Sequence, residues 1–153
     1  MRIQIFCAGL AAVWAVGSSA VADDFCANLK TAVAAARTDF RNLPGPNDDV
    51  IPGWRDPNLK LPYWEGCFVQ TDKRDLSYFC NWKRLQPMAV NAQYKYVVKQ
   101  TDQCLVGFQK TTGDKVTTWR NPAVGTVTVD VEGRKPGAMQ GSETWKLMLK
   151  VTR

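Results

Sequence analysis

A chain of 153 residues is long enough for one domain with a substantial core. It contains no histidine, which excludes Ser-His-Asp and Cys-His nucleophilic sites, histidine-bound catalytic zinc and any histidine general base. Its 20 Lys+Arg against 14 Asp+Glu leave a formal net charge of +6, modest and dispersed, so that solubility explains it as readily as an anionic partner does.

Residues 1–22 have the make-up of a cleaved signal peptide. Arg2 supplies the positive start, residues 3–16 an apolar run, and Ala20-Val21-Ala22 a small-residue cleavage site. The run falls short of the roughly 20 residues a bilayer-crossing helix needs, so no integral membrane segment is expected after cleavage. Cys26 follows Asp-Asp-Phe rather than a small-residue lipobox, which argues against a lipid anchor. The expected organisation is therefore a leader at 1–22 and a single secreted or periplasmic domain at 23–153.

The first element of that domain reads as an amphipathic helix over 24–41. Asp23 and Asp24 suit its N-terminus, and Phe25, Leu29, Val33, Ala36 and Phe40 recur at helical spacing on one stripe. Arg37 and Arg41 would fall in the last turn, with Pro44-Gly45 as the stop. From 43 to 65 the pattern gives way to a proline-rich loop holding Pro44, Pro46, Pro52, Pro57 and Pro62. A loop of that length is usually functional or disordered. Trp54, Arg55, Lys60, Tyr63 and Trp64 are its candidate ligand-binding residues, since aromatic faces beside cations grip peptides and sugars. The simpler role for those aromatics is to pin the loop to the core, because an ordered loop needs anchors to offset its entropy.

Two strands at 67–71 and 76–83 follow as a hairpin, with Tyr78, Cys80 and Trp82 on its apolar face. Pro87 opens a second helix carrying Val90, Tyr94, Val97, Thr101 and Cys104 on one stripe and ending near Gly107. The last third reads as antiparallel sheet. A short strand at 115–120 precedes two alternating runs in which Val127, Val129 and Val131, then Trp145, Leu147, Leu149 and Val151, face the core. Pairing Val131 with Trp145 would set Asp130 across from Lys146 as a simple cross-strand ion pair. The glycine-rich connection at 133–142 adds two further candidate ligand-binding cations, Arg134 and Lys135.

Four cysteines remain once the leader, with Cys7, is removed. The hairpin register sets Cys67 against Cys80, and antiparallel packing of the two helices brings Cys26 to Cys104; the pairing of Cys26 with Cys67 and Cys80 with Cys104 stays open as the alternative. None of the spacings is a Cys-x-x-Cys, which speaks against a thioredoxin-like redox site or a zinc knuckle. No cofactor or metal is expected: the Asn47-Asp48-Asp49 run lacks the spaced oxygen ligands of a calcium loop. There is no nucleic-acid reader motif, and the aromatics do not interleave with a basic cluster.

The expected fold is α+β, two helices packed on one face of a four- to five-stranded antiparallel sheet and stapled by two disulfides. The gross layout resembles small periplasmic inhibitors and immunity-type proteins, a likeness of class rather than of motif. It implies a non-enzymatic binding protein with a protein partner. The alternatives are an envelope module for anionic lipid or glycan, and a two-carboxylate glycan hydrolase drawing on Asp48, Asp49, Asp56 or Glu65.

Overall fold

A computed structural model describes residues 19–43, 45, 49–72, 76–85, 87–134 and 144–153. The expected leader up to residue 18, and Lys135 within its loop, lie outside the described residues.

Two helices pack on one face of a single antiparallel sheet. The first helix, α1, runs Ser19–Ala35, and a 3-10 turn continues it over Ala36–Thr38. It starts five residues earlier and stops sooner than the expected 24–41. The stop comes before Pro44 because Asp39 and Phe40 both adopt left-handed backbone, with φ of 53° and 57°, and the Phe40 amide reaches back to the Ala35 carbonyl at 2.9 Å. The expected apolar stripe is otherwise intact, since Phe25, Leu29, Val33, Ala36 and Phe40 are all buried.

The strands are β1 (Asp49–Ile51), β2 (Trp54–Arg55), β3 (Gly66–Gln70), β4 (Ser77–Leu85), β5 (Gln109–Gly113), β6 (Val116–Asn121), β7 (Gly125–Arg134) and β8 (Thr144–Thr152). The second helix, α2 (Pro87–Cys104), separates the two groups of four. The sheet order is β1-β2-β3-β4-β8-β7-β6-β5. Exchanging the two halves of the chain reverses this order and leaves it otherwise unchanged, so each helix leads one four-stranded meander and the meanders join at β4 and β8. The sheet thus holds three strands beyond the five expected: β1 and β2 arise inside the proline-rich segment, and β5 is an edge strand whose five residues are all exposed.

Across β3, β4, β8, β7 and β6 one sheet face is core. Cross-strand register aligns Cys67, Cys80, Leu149, Val129 and Thr117 in one row, and Val69, Tyr78, Val151, Val127 and Trp119 in the next. All ten are buried, and α1 and α2 cover them with Leu29, Ala32, Val97 and their neighbours. Val131 pairs with Leu147 and not with Trp145, which places Asp130 across from Met148 and Lys146 across from Glu132. Asp130 is therefore not directly across from the expected Lys146; β7 runs on to Arg134, which pairs with Thr144, and the register differs by two residues.

Both disulfides join the expected partners. Cys26–Cys104 ties the start of α1 to the end of α2, and Cys67–Cys80 crosses the β3–β4 hairpin between residues directly opposed in register. The segment between β2 and β3 docks over the second bridge. Tyr78 Oη donates to the Leu59 carbonyl at 3.1 Å, the Leu61 amide lies 3.5 Å from Cys67 Sγ, and Asn28 Nδ2 donates to the Lys60 carbonyl at 2.9 Å. These bonds fix a proline-rich stretch that has no ladder of its own.

Candidate functional site

The helix-free face of the sheet carries the side chains that alternate with the core rows. In an antiparallel sheet such a face normally meets water and is polar. Here register places Phe68 beside Phe79, Phe79 beside Lys150, and Lys150 beside Thr128; the next row holds Asn81, Met148 and Asp130. Trp54 enters from the short strand β2, next to the edge strand β1, and pairs with Gln70. Its indole stands edge-on to Phe79 at 4.8 Å and to Phe68 at 6.2 Å, and the two phenyl rings lie 5.7 Å apart. Edge-to-face geometry of this kind aligns ring edges with π faces and holds the cluster in place.

Beside this cluster the twisted sheet forms an open hollow of ≈ 330 Å³, lined by Trp54, Gln70, Ser77, Phe79, Thr128, Asp130, Met148 and Lys150. That volume is at the lower end of ligand cavities, about 300–1,000 Å³. Its chemistry is graded across the strands: aromatic rings on β2 and β4, Met148 and Lys150 on β8 in the middle, and Thr128 and Asp130 on β7 at the far side. Asp130 and Lys150 sit diagonally on neighbouring strands. The hollow contains one carboxylate, and among the described residues no group of three or more His, Cys, Asp or Glu could hold a metal.

The structure distributes the sequence-derived candidates instead of gathering them. Trp54 lines the hollow. Its neighbour Arg55 points to the opposite face, is only 8% exposed, and donates from Nη2 to the Phe40 carbonyl, pinning the left-handed exit of α1. Lys60 pairs with Asp56, donates to the Cys67 carbonyl at 3.2 Å, and lies 5.8 Å from the Phe68 ring centroid. Trp64 is buried against Trp82, ring centroids 5.4 Å apart, and anchors the loop. Tyr63 is 59% exposed and stands apart from the hollow. Arg134 ends β7, opposite Thr144.

Phe68, Phe79, Asp130, Met148 and Lys150 are the site residues that sequence reasoning passed over. Their signal was an interruption of alternation: Phe79 and Met148 are large apolar residues on strand positions otherwise assigned to water. Among the described residues no helix is long and apolar enough to cross a membrane. No protein-family model, curated protein or solved structure matches this chain.

Proposed function

We propose that this chain is an exported, non-enzymatic binding protein that takes up a protein partner on the helix-free face of its sheet. The observation that carries this reading is the Trp54–Phe68–Phe79 cluster with Met148, set on a face an antiparallel sheet ordinarily gives to water. Aromatic residues and methionine are enriched at the centres of protein interfaces, inside a rim of polar groups like Gln70, Thr128, Asp130 and Lys150. Scale supports it as well. Eight strands of 2 to 10 residues, at about 3.3 Å per residue and about 4.8 Å apart, present a face of about 800 Å², comparable to the roughly 800 Å² per partner of a standard interface.

Export is supported by the leader-like residues 1–22 with cleavage after Ala22, and by the two disulfides, which persist in oxidising compartments. An inhibitor or immunity-type role is the form of binding this fits best. The glycan-hydrolase alternative needs two carboxylates flanking the scissile bond, and among the described residues lining the hollow Asp130 is the one carboxylate.

The test is affinity capture of the processed protein from an envelope fraction, side by side with Trp54→Ala, at low and at high salt. A one-to-one protein complex that survives about 1 M salt and weakens at least about thirtyfold in Trp54→Ala, a hot-spot loss of about 2 kcal/mol, is expected. A partner held equally by both proteins, or one released by salt alone, overturns the proposal.

A further inference from the structure

A second surface, on the helix side, differs from the sheet face in both shape and charge. Along α1 and the 3-10 turn that continues it, Lys30, Val33, Ala34 and Arg37 are spaced i, i+3, i+4 and i+7 and form one stripe that shares Val33 with the core stripe. Across from them the chain leaves α2 through a tight turn in which Gly107 takes φ +86° and Val106 is 85% exposed. Between the stripe and the turn lies a hollow of ≈ 330 Å³ with Leu105, Phe108 and Val124 in its lining. A second hollow of ≈ 350 Å³ adjoins it, sharing Arg37 and Val124 and extending to Arg153.

Three properties of this groove converge. Its charged side chains are cationic: Lys30, Arg37 and Arg153 are present, Arg153 lying 3.8 Å from Asp39 just outside the lining, and among the described residues neither hollow is lined by an Asp or Glu side chain. Its remaining surface is mainly aliphatic and aromatic, and Val106 presents an exposed aliphatic side chain at the turn. Part of its main-chain lining is also already engaged. The α1 and α2 backbones are bonded within their helices, the Val124 amide bonds the Asn121 carbonyl, and the Ala123 carbonyl already accepts from Arg37 Nε at 3.1 Å and Nη2 at 2.7 Å. A peptide laid here would find those groups taken, whereas an acyl chain needs no main-chain partner.

We propose that this groove binds a single-chain anionic amphiphile. The carboxylate or phosphate headgroup is held by Lys30 and by the guanidinium donors Arg37 does not use on Ala123, two of its five N–H groups being so engaged. The hydrocarbon chain lies along Val33, Leu105 and Phe108 under the Val106 lip. The Cys26–Cys104 bridge joins the two helices beside this floor, Cys104 forming part of it, so the groove is preformed.

Titration calorimetry of the full processed protein, below the micellar range of each ligand, tests this directly. Dodecanoate represents a free fatty acid, dodecyl phosphate a lysophospholipid-type headgroup, and dodecyl maltoside is the neutral control with the same chain. Saturable one-to-one binding of at least one anion, absent for the maltoside and for acetate and inorganic phosphate, is expected, and the preferred anion identifies the source. Lys30→Gln should weaken it about tenfold and Val106→Asp should abolish it, both at exposed positions where the unfolding midpoint stays unchanged. Trp54→Ala, on the other sheet face, should bind as wild type. Equal affinity for the neutral detergent, no saturable binding of either anion, or insensitivity to Lys30→Gln and Val106→Asp overturns the proposal and leaves the sheet-face reading untouched.

Discussion

Removing the bridge between the helices by the paired replacement Cys26→Ala/Cys104→Ala gives a loss that can be worked from the chain itself. The bridge closes a loop of 78 residues. Releasing that loop in the unfolded state costs about 15 cal/mol/K of constraint entropy, or about 4.5 kcal/mol at 25 °C. Cys104 is buried and Cys26 half-buried, so the lost sulfur contacts add roughly 1 kcal/mol more. Domains of this kind are stable by about 5–15 kcal/mol in all, and the variant should sit near the edge of folding at 37 °C. Urea unfolding followed by far-UV circular dichroism measures it. The midpoint should fall and the slope should rise, because the unfolded chain is no longer cross-linked over that span. A loss below about 2 kcal/mol with an unchanged slope would refute the account, since it would mean that helix packing alone holds these ends together.

Three further outcomes follow from specific contacts. Asp102→Ala leaves the indole N–H of Trp119, a residue 1% exposed, without the carboxylate it meets at 2.8 Å, and should cost about 1.5–3 kcal/mol by urea unfolding, with Asp102→Asn restoring part of it. Burial drives the Tyr78 phenol far above its ordinary value of 10.0, so its contribution to stability is complete below pH 10 and is lost as pH rises toward the folded-state value; Tyr78→Phe should flatten the alkaline decline by up to about 1.4 kcal/mol per pH unit. Gly125 holds φ +149° with the Thr152 carbonyl oxygen 2.5 Å from where a Cβ would stand, so Gly125→Ala should lower stability by about 2–3 kcal/mol, and a wild-type melting temperature would refute it.

Both helices, both disulfides and the core rows of β7 and β8 were legible in the sequence because each rests on a strong period. Phe25, Leu29 and Val33 repeat at helical spacing, Val127 and Val129 alternate, and the cysteine pairs follow once those elements are laid antiparallel. Elements that lack a buried face were not legible. Gln109–Gly113 shows no alternation because none of its residues is buried, and β2 holds only Trp54 and Arg55. The β7–β8 register escaped by two residues because a parity-preserving shift keeps every valine on the core face. The loop aromatics were legible as a group but not in direction. Trp54 and Arg55 are chain neighbours on a strand, so they must face opposite sides, and one serves the hollow while the other pins the exit of α1.

The position of β8, last in chain order yet bonded to β4 on one side and β7 on the other, governs the order in which this molecule can assemble. Each meander can form from local hairpins, but the contacts that unite them join residues as distant as Ser77 and Thr152, which makes closure the slow, non-local step. Until β8 is in place, β4 and β7 both present bare edges, the most adhesive surfaces a sheet possesses. A chain delivered N-terminus first would therefore stay open until its last strand arrived, and proteolytic trimming of that strand would split the sheet at its centre. The same vacancy could be filled by the β8 of a second molecule, making exchange of this strand the natural route by which damaged or crowded copies associate.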